Sequence, residues 1–157
     1  MKKILSSIVV MLILAQSVMG QGKKISTITM GRTPCMGRCQ VYDIELHANG
    51  KVIYTGRQFV KHMGVYEKNI GKKTIAKLFA AFSKYQIDTC QNEYSSNLMD
   101  GAGMYYIIDY GSNKKEIQKA HFGPAKLEEL AQLIDKTIQV NNKWKKTASI
   151  EAPLRSR

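Results

Sequence analysis

Apolar and polar positions alternate with a period of two from residue 40 to residue 48, where Tyr42, Ile44 and Leu46 interleave with Asp43, Glu45 and His47. This alternation predicts a strand with one buried face. Asn49 and Gly50 follow, and then a second β-rich run with Val52, Ile53 and Tyr54. An Asn-Gly pair between two such runs predicts a hairpin closed by a type I′ turn, which needs positive φ at both residues. Ile25, Thr27, Ile28 and Thr29 predict an earlier strand over residues 24–32, and Val60, Val65 and Tyr66 around Gly64 predict an interrupted one over 59–70.

The period then changes. Ile75, Leu78, Phe79 and Phe82 stand at i, i+3, i+4 and i+7, with Lys73, Lys77 and Lys84 on the other side, which predicts an amphipathic helix over 72–85. Residues 87–103 are polar and rich in turn formers and read as a long surface loop. An apolar, aromatic run over 104–110 and a second run over 114–122 flank Gly111-Ser112-Asn113, the pattern of a second hairpin. Pro124 opens a second helix, with Glu128 and Glu129 near its positive end and Leu127, Leu130, Ala131, Ile134 and Ile138 as its buried stripe. Residues 141–157 are basic and aperiodic and read as a flexible tail, with Trp144 folded back or free for a partner. Consecutive hairpins need no crossover, so the expected fold is α+β: an open antiparallel sheet of five to six strands with two helices packed on one face. A single domain is expected over 21–140.

The first 20 residues carry Lys2 and Lys3, an apolar run of about a dozen residues and a small-residue end with Val18 and Gly20. They read as a secretory signal cleaved near Gly20, placing the mature protein in the periplasm or outside the cell. The run is short of the roughly 20 residues that span a bilayer, so no permanent membrane anchor is expected. The whole chain has a formal charge of +12, and loss of the two signal lysines takes it to +10. Such a charge draws anionic partners, here an anionic envelope component or another exported protein. Zinc-finger, aromatic RNP and basic-helix patterns are all missing, which argues against nucleic acid.

The densest cluster of unusual residues is Arg32-Thr33-Pro34-Cys35-Met36-Gly37-Arg38-Cys39-Gln40-Val41-Tyr42, between two expected strands. This segment resembles the R-T-P-C-x-G-x-C-P-x-Y opening of a family of small exported bacterial domains of unknown function, with Gln40 where that family has proline. The likeness extends over about 25–140. It implies export and the fold above, and it carries over no catalytic residue.

In an oxidising compartment, with Pro34 and Gly37 permitting a tight turn, Cys35 and Cys39 are expected to form a disulfide that fixes the turn. Three other readings stay open at this point. The thiols could be inert and buried. They could form a redox pair activated by Arg32 and Arg38, although C-x3-C is not the C-x-x-C of thioredoxin-like proteins. They could also join Cys90 and a histidine, His47, His62 or His121, around a metal, although the spacing lacks paired ligands. Cys90 leaves an odd count and is expected to be buried.

The sequence has no G-x-S-x-G nucleophile elbow and no complete nucleotide fingerprint. Asp88, Glu93, Asp100 and Asp109 surround the long loop without calcium-loop spacing. Tyr85, Tyr94, Tyr105, Tyr106 and Tyr110 could form an aromatic platform there. The pattern points to no cofactor and no metal. It favours a non-catalytic binding module that uses the turn residues Arg32, Pro34, Gly37, Arg38 and Tyr42, with a second candidate site at Tyr94 and Asp100. A thiol-dependent redox protein built on Cys35 and Cys39 is the alternative.

Overall fold

Ile28 and Met30, Tyr42, Ile44 and Leu46, Val52 and Tyr54, and Met104, Tyr106 and Ile108 are all buried, and their period of two puts them on one face of a sheet. The computed structural model describes residues 23–94 and 101–150. Within them the strands are β1 (Thr27–Arg32), β2 (Val41–His47), β3 (Lys51–Gln58), β4 (Gly64–Asn69), β5 (Met104–Asp109), β6 (Lys114–Ile117) and β7 (Lys145–Ala148). They form one open sheet in the order β6-β5-β1-β2-β3-β4-β7, and every neighbouring pair is antiparallel.

The helices α1 (Lys72–Lys84) and α2 (Ala125–Ile138) cover the apolar face. Ile75, Leu78 and Phe82 of α1 and Leu127, Leu130, Ala131, Ile134 and Ile138 of α2 are buried, which is the stripe their spacing predicts. Tyr106 joins both helices to the sheet. Its ring meets Phe82 edge-on at 5.5 Å, and its hydroxyl donates to the Leu127 carbonyl at 2.7 Å. The other face of the sheet is open to solvent, as antiparallel sheets permit.

Three expectations need correction. The first hairpin forms, but Gly50 alone of its Asn-Gly pair takes positive φ, at 99°. Gly50 donates its N–H to the His47 carbonyl at 2.9 Å, giving a three-residue loop that ends on a left-handed glycine rather than a type I′ turn. The interrupted strand is confined to β4, and residues 59–63 are the loop that leads into it. The expected tail contributes a seventh strand. Trp144 is buried, and β7 pairs Glu67 with Lys145 and Tyr66 with Lys146. Without β7 the outer edge of β4 would present unpaired backbone groups, and covering that edge outweighs the polarity of the segment.

The proposed signal, residues 95–100 of the long loop, and 151–157 lie outside the described residues. The described part of the loop is partly ordered: 87–89 form a 3-10 turn, Cys90 is buried, and Glu93 bridges to Gln118. No helix among the described residues is long and apolar enough to cross a membrane.

Candidate functional site

The β1–β2 ladder runs through the pair Arg32 and Tyr42, and the exposed segment beyond it is closed by a Cys35–Cys39 disulfide with the Cα atoms 5.8 Å apart. Gly37 donates its N–H to Cys35 Sγ at 3.2 Å, and Met36 stands 84% exposed at the tip. Thr33 N–H donates to the Gly103 carbonyl at 2.9 Å, so the root of the turn is also tied to the chain entering β5.

Strand alternation sends successive residues of each arm of the turn to opposite faces. On the helix side, Arg32 Nε donates to the Tyr42 hydroxyl at 2.9 Å, and that hydroxyl donates to Asp135 Oδ1 at 2.8 Å. Arg32 Nη2 reaches Asp135 Oδ2 at 3.2 Å and Glu128 Oε1 at 3.4 Å. Burial works against the Arg32 charge, but Tyr42, Asp135 and Glu128 outweigh it and raise its pKa. Burial first, and then the Asp135 charge, push the Tyr42 hydroxyl well above the usual tyrosine range. These two residues, expected at an interaction turn, tie the root of the turn to α2.

On the open face the turn borders a groove of about 420 Å³ lined by Thr33, Pro34, Val41 and Gln58, with Asp43, Arg57 and Tyr105 at its polar end. Asp43 Oδ2 accepts from Arg57 Nε at 3.0 Å and Nη2 at 2.8 Å, while Asp43 Oδ1 accepts from the Tyr105 hydroxyl at 2.7 Å. Burial, followed by the bond to Asp43, raises the pKa of Tyr105. The ring of Tyr105 lies directly on Gly31, where a Cβ would overlap Cε1 and Cζ. Glycine is needed here for close approach.

A smaller cleft of about 340 Å³ lies on the helix side between His62 and the end of α2, floored by Tyr42 and Tyr54. Tyr42, Tyr54 and Tyr66 follow one another across the strands with ring centres 5.7 and 6.4 Å apart. Burial, with help from Asp135 and Tyr66, pushes Tyr54 up to about 12.

Of the residues singled out from sequence, Pro34 lines the open-face groove, and Gly37 and Arg38 are exposed on the turn. Tyr94 is half-buried; its hydroxyl accepts the Gln91 N–H at 3.2 Å and its ring packs on Gly123. Asp100 lies outside the described residues. The proposed aromatic platform does not assemble, since Tyr105 faces the open side, Tyr106 is buried under the helices, and Tyr85 donates to Glu129 at 2.8 Å. The histidines are dispersed: His47 stands beside Glu45, His62 meets Tyr66 edge-on, and His121 accepts the Met104 N–H at 3.2 Å. Burial lowers the pKa of His121. Among the described residues no three His, Cys, Asp or Glu side chains are grouped to hold a metal ion. The sequence reading missed Asp43 and Arg57, which the hairpin register could have paired, and it put Tyr105 in an aromatic platform rather than beside Asp43, to which nothing local pointed.

The family model described as "Domain of unknown function (DUF6438)" matches residues 26–138. The chain belongs to this family. The DUF6438 domain therefore runs from the start of β1 to the end of α2 and contains the disulfide turn, the Arg32 network and the groove except for Ile150 on its lining, while Trp144 and β7 lie beyond the match. No curated protein matches the chain.

Proposed function

We propose that this DUF6438 domain is an exported, non-catalytic binding module that takes hold of its partner at the open-face groove beside the disulfide turn. The observation that carries this reading is the groove's construction. One wall is a turn braced by a covalent link and by Arg32, and the polar end is a cluster in which Asp43 already satisfies Arg57 and Tyr105. Such a surface is ordered before a partner arrives, which lowers the entropic cost of binding. Export is supported by the charge and apolar pattern of the first 20 residues, and the disulfide suits an oxidising compartment. Of the two arginines that flank the cysteines, Arg32 has its guanidinium engaged by Tyr42, Asp135 and Glu128, leaving Arg38 alone near the sulfurs, which favours a structural disulfide over an activated thiol pair.

The test is site-specific photo-crosslinking in the exporting cell, from Gln58 in the groove and from Lys77 on α1. A discrete adduct that forms from Gln58 but not from Lys77, survives Cys35→Ser/Cys39→Ser, and is lost in Arg57→Ala/Tyr105→Ala is the expected outcome. Equal adducts from both positions would remove the groove from the account. If the native protein exchanges thiols with a glutathione buffer and the double serine variant does not, the redox alternative takes its place.

A further inference from the structure

We propose that a second surface, the lysine-lined trough where the end of the β2–β3 hairpin meets β4 and β7, binds an extended acidic glycan. The trough holds about 500 Å³ and is lined by Lys51, Lys68, Lys143, Lys145 and the amides of Asn49 and Asn69. Its one carboxylate, Glu67, is paired with Lys51 at 2.9 Å. The hydrogen bond and charge of Lys51, with Lys145 behind it, hold Glu67 below its usual pKa, so it stays ionised and leaves most of the lysine charge uncompensated.

The asparagines sharpen the chemistry. Asn49 Oδ1 accepts the Lys51 N–H at 3.0 Å, and Asn69 Oδ1 accepts the Gly71 N–H at 2.8 Å. With both carbonyl oxygens engaged by backbone, the amide nitrogens are the ends left for a ligand, and these are donors. A trough of ammonium and amide donors suits carboxylates and hydroxyls. Positive charge continues past the trough onto the start of α1, which has Lys72 and Lys73 and no acid in its first turn.

Two features select the class of polyanion. The cations lining the trough are all lysines, compact point charges on flexible stems, which fit charges spaced along a polymer better than the fork of an arginine gripping one phosphate. The neighbouring aromatic, Trp144, is 5% exposed and has Lys68 Nζ 5.9 Å from its ring centre, so it does not offer a free face for stacking bases. Lys143 and Lys145 belong to the segment after residue 138, beyond the family match, while the other residues lining the trough lie within it. It shares no residue with the groove beside Pro34.

The probe for the test is polygalacturonate oligosaccharide, with neutral dextran and duplex DNA as comparators. Binding is read from the fluorescence of Trp144, the single tryptophan, which sits between Lys143 and Lys145. The full chain is expected to bind polygalacturonate, not dextran, with an affinity that falls as salt rises. Lys143→Gln/Lys145→Gln should weaken binding about tenfold or more, and Lys68→Gln, which leaves β7 untouched, should weaken it in the same direction. Lys77→Gln/Lys84→Gln removes equal charge from the exposed face of α1 and should change binding less than about twofold, the effect of net charge alone. Equal weakening by trough and α1 variants, tighter binding of DNA through the same lysines, or no binding of polygalacturonate would each overturn the proposal. None of these variants touches Arg57 or Tyr105, so crosslinking from Gln58 separates the fate of this surface from that of the groove.

Discussion

Gly31→Ala is the sharpest probe of how the groove is built. Gly31 lies on β1 in ordinary extended geometry, and only the Tyr105 ring and Asp43 stand in the way of a side chain. An added Cβ would overlap Tyr105 Cε1 and Cζ and sit 2.6 Å from Asp43 Oδ1. Restoring a contact of about 3.5 Å means moving the ring by about 1 Å or more. That motion breaks the 2.7 Å bond from Tyr105 to Asp43. Overpacking costs about 1–3 kcal/mol. The lost bond to a charged acceptor adds about 1 kcal/mol at this partly solvated site, below the usual figure because Asp43 keeps Arg57. Alanine recovers about 0.5 kcal/mol over glycine in a strand. The net expectation is a loss of about 1.5–3.5 kcal/mol in urea unfolding followed by Trp144 fluorescence. In a Tyr105→Ala background the obstacle is gone and the Asp43 carboxylate can pivot, so the same substitution should cost less than about 0.5 kcal/mol. A Gly31→Ala cost that is small in the parent, or equal in both backgrounds, would refute the claim that Tyr105 is seated on this glycine.

Cys35→Ser/Cys39→Ser should leave the fold intact and cost no more than about 2 kcal/mol in urea unfolding, because so short a loop has little closure entropy to lose; global unfolding would show that the disulfide holds more than its turn. Trp144→Ala should cost about 3 kcal/mol and expose β7 amides to hydrogen exchange, while the amides of β1, β2 and β5 stay protected. Tyr42, Tyr54, Tyr105 and Tyr106 are all raised above the ordinary tyrosine value, with Tyr54 at about 12. A raised folded pKa means the stabilisation is complete below about pH 10 and is lost as pH climbs toward the folded values. Stability should therefore fall from pH 10 upward, with late phenolate absorbance appearing together with unfolding; free titration of all eight tyrosines near pH 10 in the folded protein would contradict this.

Much of the fold was legible because it is local. The alternation of Tyr42, Ile44 and Leu46 marked a half-buried strand, and the spacing of Ile75, Leu78 and Phe82 marked a helix face, since each element exposes its own period to one apolar boundary. The Asn49-Gly50 pair located the hairpin. Its turn type was decided by where the Gly50 N–H found an acceptor, a matter of strand twist and register that dipeptide preference does not fix.

The site was legible only in part, because its partners come from distant stretches of chain. Arg32 and Tyr42 stood out as members of an unusual segment, but their direction depended on Asp135 and Glu128, about a hundred residues away, turning inward on α2. Tyr105 reaches Asp43 because β5 pairs with β1 on the side opposite β2, and that pairing has no local signal. The trough likewise exists because Trp144 is buried and β7 completes the edge of β4, which sets Lys143 and Lys145 beside Lys51. The sequence by itself determined the periodicities, the turn positions and the cysteine spacing, all governed by contacts within a few residues. Tertiary structure alone decided which charges meet and which face each side chain takes, because those depend on strand order and helix docking between segments that the chain keeps far apart.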